Sequence, residues 1–307
     1  MKILIVGAGA IGGYFGGRLL ETGQDVTFLV RPRRKKQLEE TGLNIKSVNG
    51  DCQLTPKLIT VDHQSEPFDV VIVSTKSYQL EGAIQDIQPF VGQQTMVLPL
   101  LNGIAHVESL VEAFGEDRVI GGLCFIETTL DENGTIIQTS PSNQLVYGER
   151  SGGQTERILK LRDVFKRTKA DFVLSGNINQ DMWHKYLFIT AMSGITAAME
   201  APIGPIRELE TGQRTIAALL EELAAVMKKM DAPITATIAQ DQLAKINSME
   251  AGMKSSMQRD MEKSQPIEVE HLQGYLLKKA NELDVPVPIL ETIYTKLVLY
   301  GLNLQTN

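Results

Sequence analysis

Two cysteines, Cys52 and Cys124, are all that 307 residues contain, too few for a disulfide framework. The four histidines and these two cysteines show no metal-ligand spacing, so a structural or catalytic metal site is not indicated. Excess positive charge is also missing. The formal net charge is −7, which argues against a nucleic-acid binder, and basic residues cluster only at 31–36. No apolar stretch is long enough for a membrane span. The first strand pattern starts at residue 2, leaving no room for a signal peptide, and a cytoplasmic protein with reduced thiols is expected. There is no repeat and no low-complexity tail. What remains is an ordinary globular composition, 43% hydrophobic and 22% charged, in a chain long enough for two domains.

The first thirty-one residues carry the most information. Lys2-Ile3-Leu4-Ile5-Val6 is an apolar run of strand length. It leads into Gly7-Ala8-Gly9-Ala10-Ile11-Gly12, a G-x-G-x-x-G pattern, followed by a helical pattern from Gly13 to Thr22 and a second strand pattern from Asp25 to Val30. Strand, glycine turn, helix and strand form the context in which this motif binds a dinucleotide. Gly7 permits the tight turn, Gly9 lets the backbone approach a pyrophosphate, and Gly12 lets helix and strand pack closely. The free N–H groups of the helix start, at Ala8, Ala10 and Ile11 among them, face the phosphates.

The residue ending the second strand selects the cofactor. An NAD site has Asp or Glu there to accept from the ribose 2′-hydroxyl. Here it is Arg31, nineteen residues beyond Gly12, with Arg33, Arg34, Lys35 and Lys36 close behind. A guanidinium binds a 2′-phosphate through paired charge-assisted hydrogen bonds, so NADP(H) is the expected cofactor. Arg34, Lys35 and Lys36 also fit a solvated basic loop.

Strand and helix patterns alternate to about residue 130. Phe68–Ser74 and Thr95–Leu101 have the continuous apolar character of strands buried on both faces. Val119–Thr129 reads as a longer strand, and the Asp131-Glu132-Asn133-Gly134 turn separates it from a small antiparallel extension at 135–139 and 144–147. A helix over 155–168 and a strand over 171–174 follow. From Ile178 the pattern is helical almost throughout, with helices over 182–199, 215–230, 235–251 and 267–283 and prolines at the joints. The expected fold is α/β: a Rossmann-type doubly wound domain over 1–176, followed by an all-helical domain over 177–307 that carries substrate-binding and catalytic residues. An active site in the cleft between them is expected.

In a doubly wound sheet, ligands sit beyond the carboxyl ends of the strands. Four successive ends carry distinctive residues: the glycine turn, Arg31, Thr75-Lys76-Ser77 and Asn102-Gly103. Lys76 fits either a solvated lysine or an amine reaching the nicotinamide ribose or substrate. Asn102-Gly103 fits a turn dipeptide or a ligand contact. In the helical half, Lys185, Ile189 and Ser193 share one helix face. Lys185 is the one charge beside an apolar stretch and is competent to protonate a developing alkoxide, though a snorkelling lysine fits as well. Glu268 fits a first-turn acid, and Ser255 and Ser256 fit helix caps. His184 and His271 fit ordinary packing.

Taken together, GAGAIGG at 7–13, Arg31, Thr75-Lys76, Leu101-Asn102-Gly103, Trp183-x-Lys185, Ser255-Ser256-Met257 and Glu268 resemble the ketopantoate reductases (2-dehydropantoate 2-reductases) over nearly the whole chain. The resemblance implies stereospecific reduction of a branched 2-oxo acid by NADPH, a step of pantothenate biosynthesis. It implies that Lys185 is the general acid, that Lys76 and Asn102 lie near cofactor and carbonyl, and that Ser193, Ser256 and Glu268 hold the substrate, with Glu268 also part of the catalytic set. One departure stands out. The family commonly has asparagine one and two turns after the lysine, where this chain has Ile189 and Ser193. An apolar pocket would suit other branched 2-oxo acids, as in reductases making D-2-hydroxy acids. A non-catalytic NADPH-binding sensor is a third possibility. The implied partners are a small 2-oxo acid and, in assembly, a second copy of the chain; neither nucleic acid nor membrane is implied.

Overall fold

The computed structural model describes residues 1–306, with side chains to Leu304. The chain divides into two compact units, one of residues 1–101 and 106–179 and the other of residues 102–105 and 180–307. The first unit holds β1 (Lys2–Val6), α1 (Ala10–Glu21), β2 (Asp25–Leu29), α2 (Pro32–Thr41), β3 (Leu43–Ser47), β4 (Cys52–Leu54), β5 (Lys57–Ile59), β6 (Phe68–Val73), α3 (Leu80–Ile87), β7 (Val91–Pro99), α4 (Ala105–Phe114), β8 (Gly121–Leu130), β9 (Ile136–Gly148), α5 (Glu156–Phe165) and β10 (Asp171–Leu174). The second is built from α6 (Ile178–Ala198), α7 (Ile203–Glu208), α8 (Glu210–Lys229), α9 (Ile238–Ser248), α10 (Ser256–Glu262), a π-helical turn (Glu270–Gly274), α11 (Tyr275–Glu282) and α12 (Pro288–Thr306).

Alternation along β1 explains the first sheet. Ile3 and Ile5 enter one buried cluster, while Leu4 and Val6 enter another on the opposite face. A strand buried on both faces belongs inside a covered parallel sheet. The sheet runs β5-β2-β1-β6-β7, every pairing parallel. Strand order reverses between β1 and β6, so the crevice for a ligand opens beyond their carboxyl ends.

A second five-stranded sheet accounts for the segments read as an antiparallel extension. Strand β9 pairs antiparallel with β8 and parallel with β3 and β10, while β4 pairs antiparallel with β3. The expected break around Ser140-Pro141-Ser142 is an irregularity inside one long strand. Glu127 donates its N–H to Ser140 Oγ at 2.9 Å, and Ser142 Oγ donates to the Phe125 carbonyl at 3.0 Å. These side-chain bonds let a proline sit within the strand pairing.

Helix α1 lies between the two sheets, and its glycines fit both sides. A Cβ on Gly16 would come within 2.7 Å of Ile5 and 2.8 Å of Phe28, on the parallel sheet. A Cβ on Gly13 would come within 2.5 Å of Ile136, and one on Gly17 within 2.6 Å of Ile45, both on the second sheet. The spacings 12/16 and 13/17 thus give the helix two smooth faces. Arg18, fully buried, donates to the Gly50 carbonyl at 2.6 Å and to Glu21 at 2.9 Å, and its guanidinium lies 5.0 Å from the Tyr14 ring centroid. It fastens α1 to the turn between β3 and β4.

In the helical unit, α6 is buried for most of its circumference, as expected for a helix apolar all round. Glu222 on α8 accepts from the N–H groups of Ile289 and Leu290 at 3.1 and 3.0 Å and so caps α12. The pattern read as one helix over 267–283 starts at Val269 and contains the π turn, leaving Glu268 just outside it. Among the described residues, no helix is long and apolar enough to cross a membrane, and no cluster of His, Cys, Asp or Glu is arranged to hold a metal ion.

Candidate active site

The glycine turn is built from the end of β1. Gly7 takes φ +93°, a conformation that glycine adopts without strain, and donates its N–H to the Leu29 carbonyl at 3.3 Å. Ser74, at the end of β6, lies 2.9 Å from the Val6 carbonyl and 3.1 Å from the Gly7 carbonyl through its hydroxyl, which donates to them. A Cβ on Gly12 would overlap both Ser74 Oγ and the Gly7 carbonyl. This position must therefore be glycine if helix and strand are to pack this closely. Ser74 was not singled out in the sequence because a serine ending an apolar strand carries no pattern.

At Gly9 the surroundings are the reverse. It precedes α1 in an extended conformation, and a Cβ there would meet nothing within 4 Å. Gly9 has no side chain to cap the helix, and the first turn contains no acidic residue. The N–H groups of Ala10, Ile11 and Gly12 have no acceptor within the helix. Open space at Gly9 beside an uncapped, positively polarised helix start fits a pyrophosphate.

Arg31 is exposed at the carboxyl end of β2 and precedes α2, with Pro32 in the first turn. The basic segment is helical rather than a loop. Proline sets the first turn, and Lys35 and Lys36 sit 4.0 Å from Glu39 and Glu40 one turn on. Arg34 is not a solvated residue. Its half-buried guanidinium bonds the Ala8 carbonyl at 3.2 Å, the Gly134 carbonyl at 3.1 Å and Gln37 Oε1 at 2.7 Å. Burial pushes its pKa below the usual guanidinium value. Thr75 lies beside Gly7, and its hydroxyl is buried with no protein partner. Lys76 is half-buried at the start of a short 3-10 turn.

The second unit gathers a separate group. Lys185 on α6 is 8% exposed, and its ammonium donates to Asn102 Oδ1 at 3.0 Å. Gly103 takes φ +90°, and a Cβ there would lie 3.0 Å from His271. His271 hydrogen-bonds the Asn102 main chain. Its pKa is held down by burial, while Glu268 pulls it up. Lys185, Asn102, His271 and Glu268 thus form one connected cluster. His271 belongs to it although its sequence setting suggested packing.

The π turn docks on α6 through Tyr186, whose hydroxyl donates to the Leu272 carbonyl at 2.6 Å, and through the fully buried Gln273. Gln273 Nε2 donates to the Thr190 carbonyl at 3.0 Å and to Ser193 Oγ at 2.9 Å. Ser193 is thereby buried and engaged, whereas Ile189 is partly exposed. Ser255 caps α10, accepting from Gln258 N–H at 3.1 Å and from Thr196 Oγ1 at 2.8 Å. Ser256, the next residue, is exposed. A second lysine, Lys245 on α9, places its ammonium 4.1 Å from the Phe188 ring centroid. Desolvation and the charge of Lys185 push its pKa down. Nothing in the sequence pairs Lys245 with α6.

Comparison with known proteins bears on this geometry. The family model for ketopantoate reductase PanE/ApbA matches residues 3–152, and that for its C-terminal part matches residues 177–300. An uncharacterised oxidoreductase of Bacillus subtilis, YkpB, is 46% identical over 300 residues, covering 98% of this chain and 99% of that protein. The crystal structure of 2-dehydropantoate 2-reductase from Geobacter metallireducens superposes with TM-score 0.87 at 26% identity, covering 97% and 99% of the two chains. A ternary structure of D-mandelate dehydrogenase with NADH and anilino(oxo)acetate gives TM-score 0.87 at 22% identity, covering 99% and 100%. This last likeness is one of fold.

Proposed function

The chain belongs to the ketopantoate reductase family, and from that premise we propose that it reduces a 2-oxo acid at C2 with NADPH, with ketopantoate the first substrate. The observation that carries the proposal is the buried Lys185 ammonium held on Asn102. A buried cation needs partners, and the Asn102 side-chain oxygen is one of them. The bond to Asn102 fixes where the ammonium points, as a general acid in a closed site requires.

The glycine turn and the start of α1 would hold the pyrophosphate, and Arg31 the 2′-phosphate. NADPH, when bound, supplies the hydride. The electron pair of the carbonyl then moves to oxygen, and Lys185 Nζ gives that oxygen its proton as general acid. Asn102 Oδ1 accepts from the same ammonium and so fixes its direction. His271 holds the Asn102 main chain, and Glu268 biases His271. In this scheme Ser193, Ser256 and Glu268 serve the substrate's polar ends, with Lys76 near the cofactor. Two copies of the chain would form the working assembly.

Ile189 favours a second reading, reduction of branched 2-oxo acids that lack the ketopantoate hydroxyl. The two differ in a simple assay, NADPH oxidation against a panel of 2-oxo acids including ketopantoate and 2-oxoisovalerate. Lys185→Ala is expected to lower kcat by about two to four decades for loss of a general acid, with NADPH binding retained. Near-normal kcat in that variant, or no turnover of any 2-oxo acid by the native protein, would overturn the proposal. The latter result would favour a non-catalytic NADPH sensor.

A further inference from the structure

Arg34 does something other than add charge to the basic segment. All three guanidinium nitrogens are engaged, with the Ala8 carbonyl at 3.2 Å, the Gly134 carbonyl at 3.1 Å and Gln37 Oε1 at 2.7 Å. Gln37 extends the link, since its Nε2 donates to the Asn133 carbonyl at 2.8 Å. The turn that receives these bonds is firmly built. Asp131 Oδ1 accepts from the N–H groups of Asn133 and Thr135 at 2.9 and 2.8 Å. Gly134 takes φ +78°, and any Cβ there would overlap the Arg34 guanidinium. Two carbonyls distant in sequence, one in the glycine turn and one in the β8–β9 turn, thus share a single side chain.

The peptide it grips is the informative one. Ala8 C=O and Gly9 N–H belong to the same trans peptide and point in opposite directions. Holding the carbonyl toward Arg34 turns the Gly9 N–H away from it. That N–H belongs to the residue whose Cβ position is open and which starts α1. We propose that Arg34 is a positioning residue for the dinucleotide: it fixes the Ala8–Gly9 peptide, and so the pyrophosphate cradle, without reading the 2′-phosphate. This rests on the glycine turn being a dinucleotide site. It divides the basic segment into one arginine that meets the ligand, Arg31, and one that shapes its receptor, Arg34.

Binding measurements on the whole protein separate the two roles. The probes are NADPH, NADH and adenosine 2′-monophosphate, which carries the 2′-phosphate but no pyrophosphate. Arg34→Ala is expected to weaken NADPH and NADH by the same factor, tenfold or more, with adenosine 2′-monophosphate within twofold of the native value. Arg31→Ala is expected to do the converse, weakening NADPH and adenosine 2′-monophosphate and sparing NADH. Arg34→Lys, which can keep one carbonyl bond, should fall between native and Arg34→Ala; it carries the test if the alanine variant does not fold. Gln37→Ala should show a smaller, equal loss for both dinucleotides. A lowered Tm with unchanged dinucleotide Kd would overturn the assignment in favour of a fold staple. A loss confined to NADPH and adenosine 2′-monophosphate would make Arg34 a phosphate reader instead. Native protein that binds neither dinucleotide would remove the underlying site, a failure visible before any variant is made.

Discussion

Gly9 and Gly12 belong to the same motif, yet the structure predicts opposite consequences for replacing them with alanine. At Gly12 the added Cβ overlaps Ser74 Oγ and the Gly7 carbonyl. The carbonyl is main chain and cannot swing aside, so α1 must move off the sheet. Overpacking of this kind costs about 1–3 kcal/mol. Displacing the Ser74 hydroxyl from its carbonyl acceptors adds about 0.5–1.5 kcal/mol for the lost hydrogen bond. Gly12→Ala should therefore lose about 1.5–4.5 kcal/mol of stability. At Gly9 the Cβ meets nothing within 4 Å, and the backbone is already extended. Alanine is a poorer residue than glycine before a helix, but it also narrows the unfolded ensemble by about 0.4–1 kcal/mol. The two effects nearly cancel, and stability should change by less than about 1 kcal/mol. In the proposed site the alanine methyl at residue 9 would instead occupy the approach of the pyrophosphate. Loss of even one charge-assisted N–H bond, about 1.5–3 kcal/mol, weakens NADPH by about one to two decades. Urea unfolding monitored by circular dichroism and fluorescence titration with NADPH give the two quantities independently. A Gly9→Ala protein with native NADPH affinity would show that the open space is not the pyrophosphate site. A Gly12→Ala protein of native stability would refute the packing argument.

Three further outcomes follow from the geometry. Arg31→Ala should raise the Kd for NADPH by about one to two decades, the worth of a charge-assisted contact, and leave NADH nearly unchanged; equal weakening of both would exclude Arg31 as the reader. His184 Nε2 accepts from Thr235 N–H at 3.1 Å, and burial holds its pKa below 6.5 against the opposing pull of Asp181 and Asp241; His271 is lowered likewise. Below pH 6.5 the unfolded chain therefore binds more protons than the folded one, so stability is full above that pH and falls on acidification, by at most about 1.4 kcal/mol per pH unit per histidine. The slope of Tm against pH should shrink in His184→Gln, and an unchanged slope would exclude His184. Ile189→Asn should raise kcat/KM for ketopantoate relative to 2-oxoisovalerate by about tenfold, the worth of one recovered hydrogen bond; an unchanged ratio would mean that Ile189 does not meet the substrate side chain.

The parts of the molecule legible in the sequence are those where one residue type answers a local demand. The run of β1 and the glycines after it are of this kind, because backbone conformation and close approach leave no alternative to glycine at Gly7 and Gly12. Both the parallel sheet and the helical second half follow from local periodicity. The second sheet followed only in part: β8, β9 and β10 showed as strand patterns, whereas β3 and β4 are short, and β3 joins the sheet through β9, which is distant in sequence. For the same reason the helix over Arg33–Lys36 was hidden: its charges look like a loop until Pro32 and the Lys–Glu pairs one turn apart are counted together. Arg34, Ser74, His271 and Gln273 share another trait. Each acts on a main-chain carbonyl or on a neighbouring side chain that only the fold brings near, and such contacts leave no spacing in the sequence.

Helix α6 shows why the chemistry of this protein is easier to read than its substrate. Successive turns of one helix carry Lys185, Ile189 and Ser193, yet their surroundings differ. Lys185 is held by Asn102, which the second unit gathers in with residues 102–105. Ser193 is held by Gln273 from the π turn, which bonds α6 at Thr190 as well. Only Ile189 is left partly exposed and without a polar atom to satisfy. A π turn inserts an extra residue into a helix and redirects the side chains that follow, and such turns often occur at functional sites. Here it brings Leu272 against Tyr186 and Gln273 against Ser193. The hydroxyl at 193 therefore has one of its two acceptor lone pairs taken inside the protein. An asparagine in its place would present two donors and an acceptor. In the proposed mechanism the proton donor on α6 is thus held in place by Asn102. Where the family commonly has two asparagines, this chain has Ile189 and the internally engaged Ser193, and under the proposed function that exchange would favour substrates with fewer polar groups.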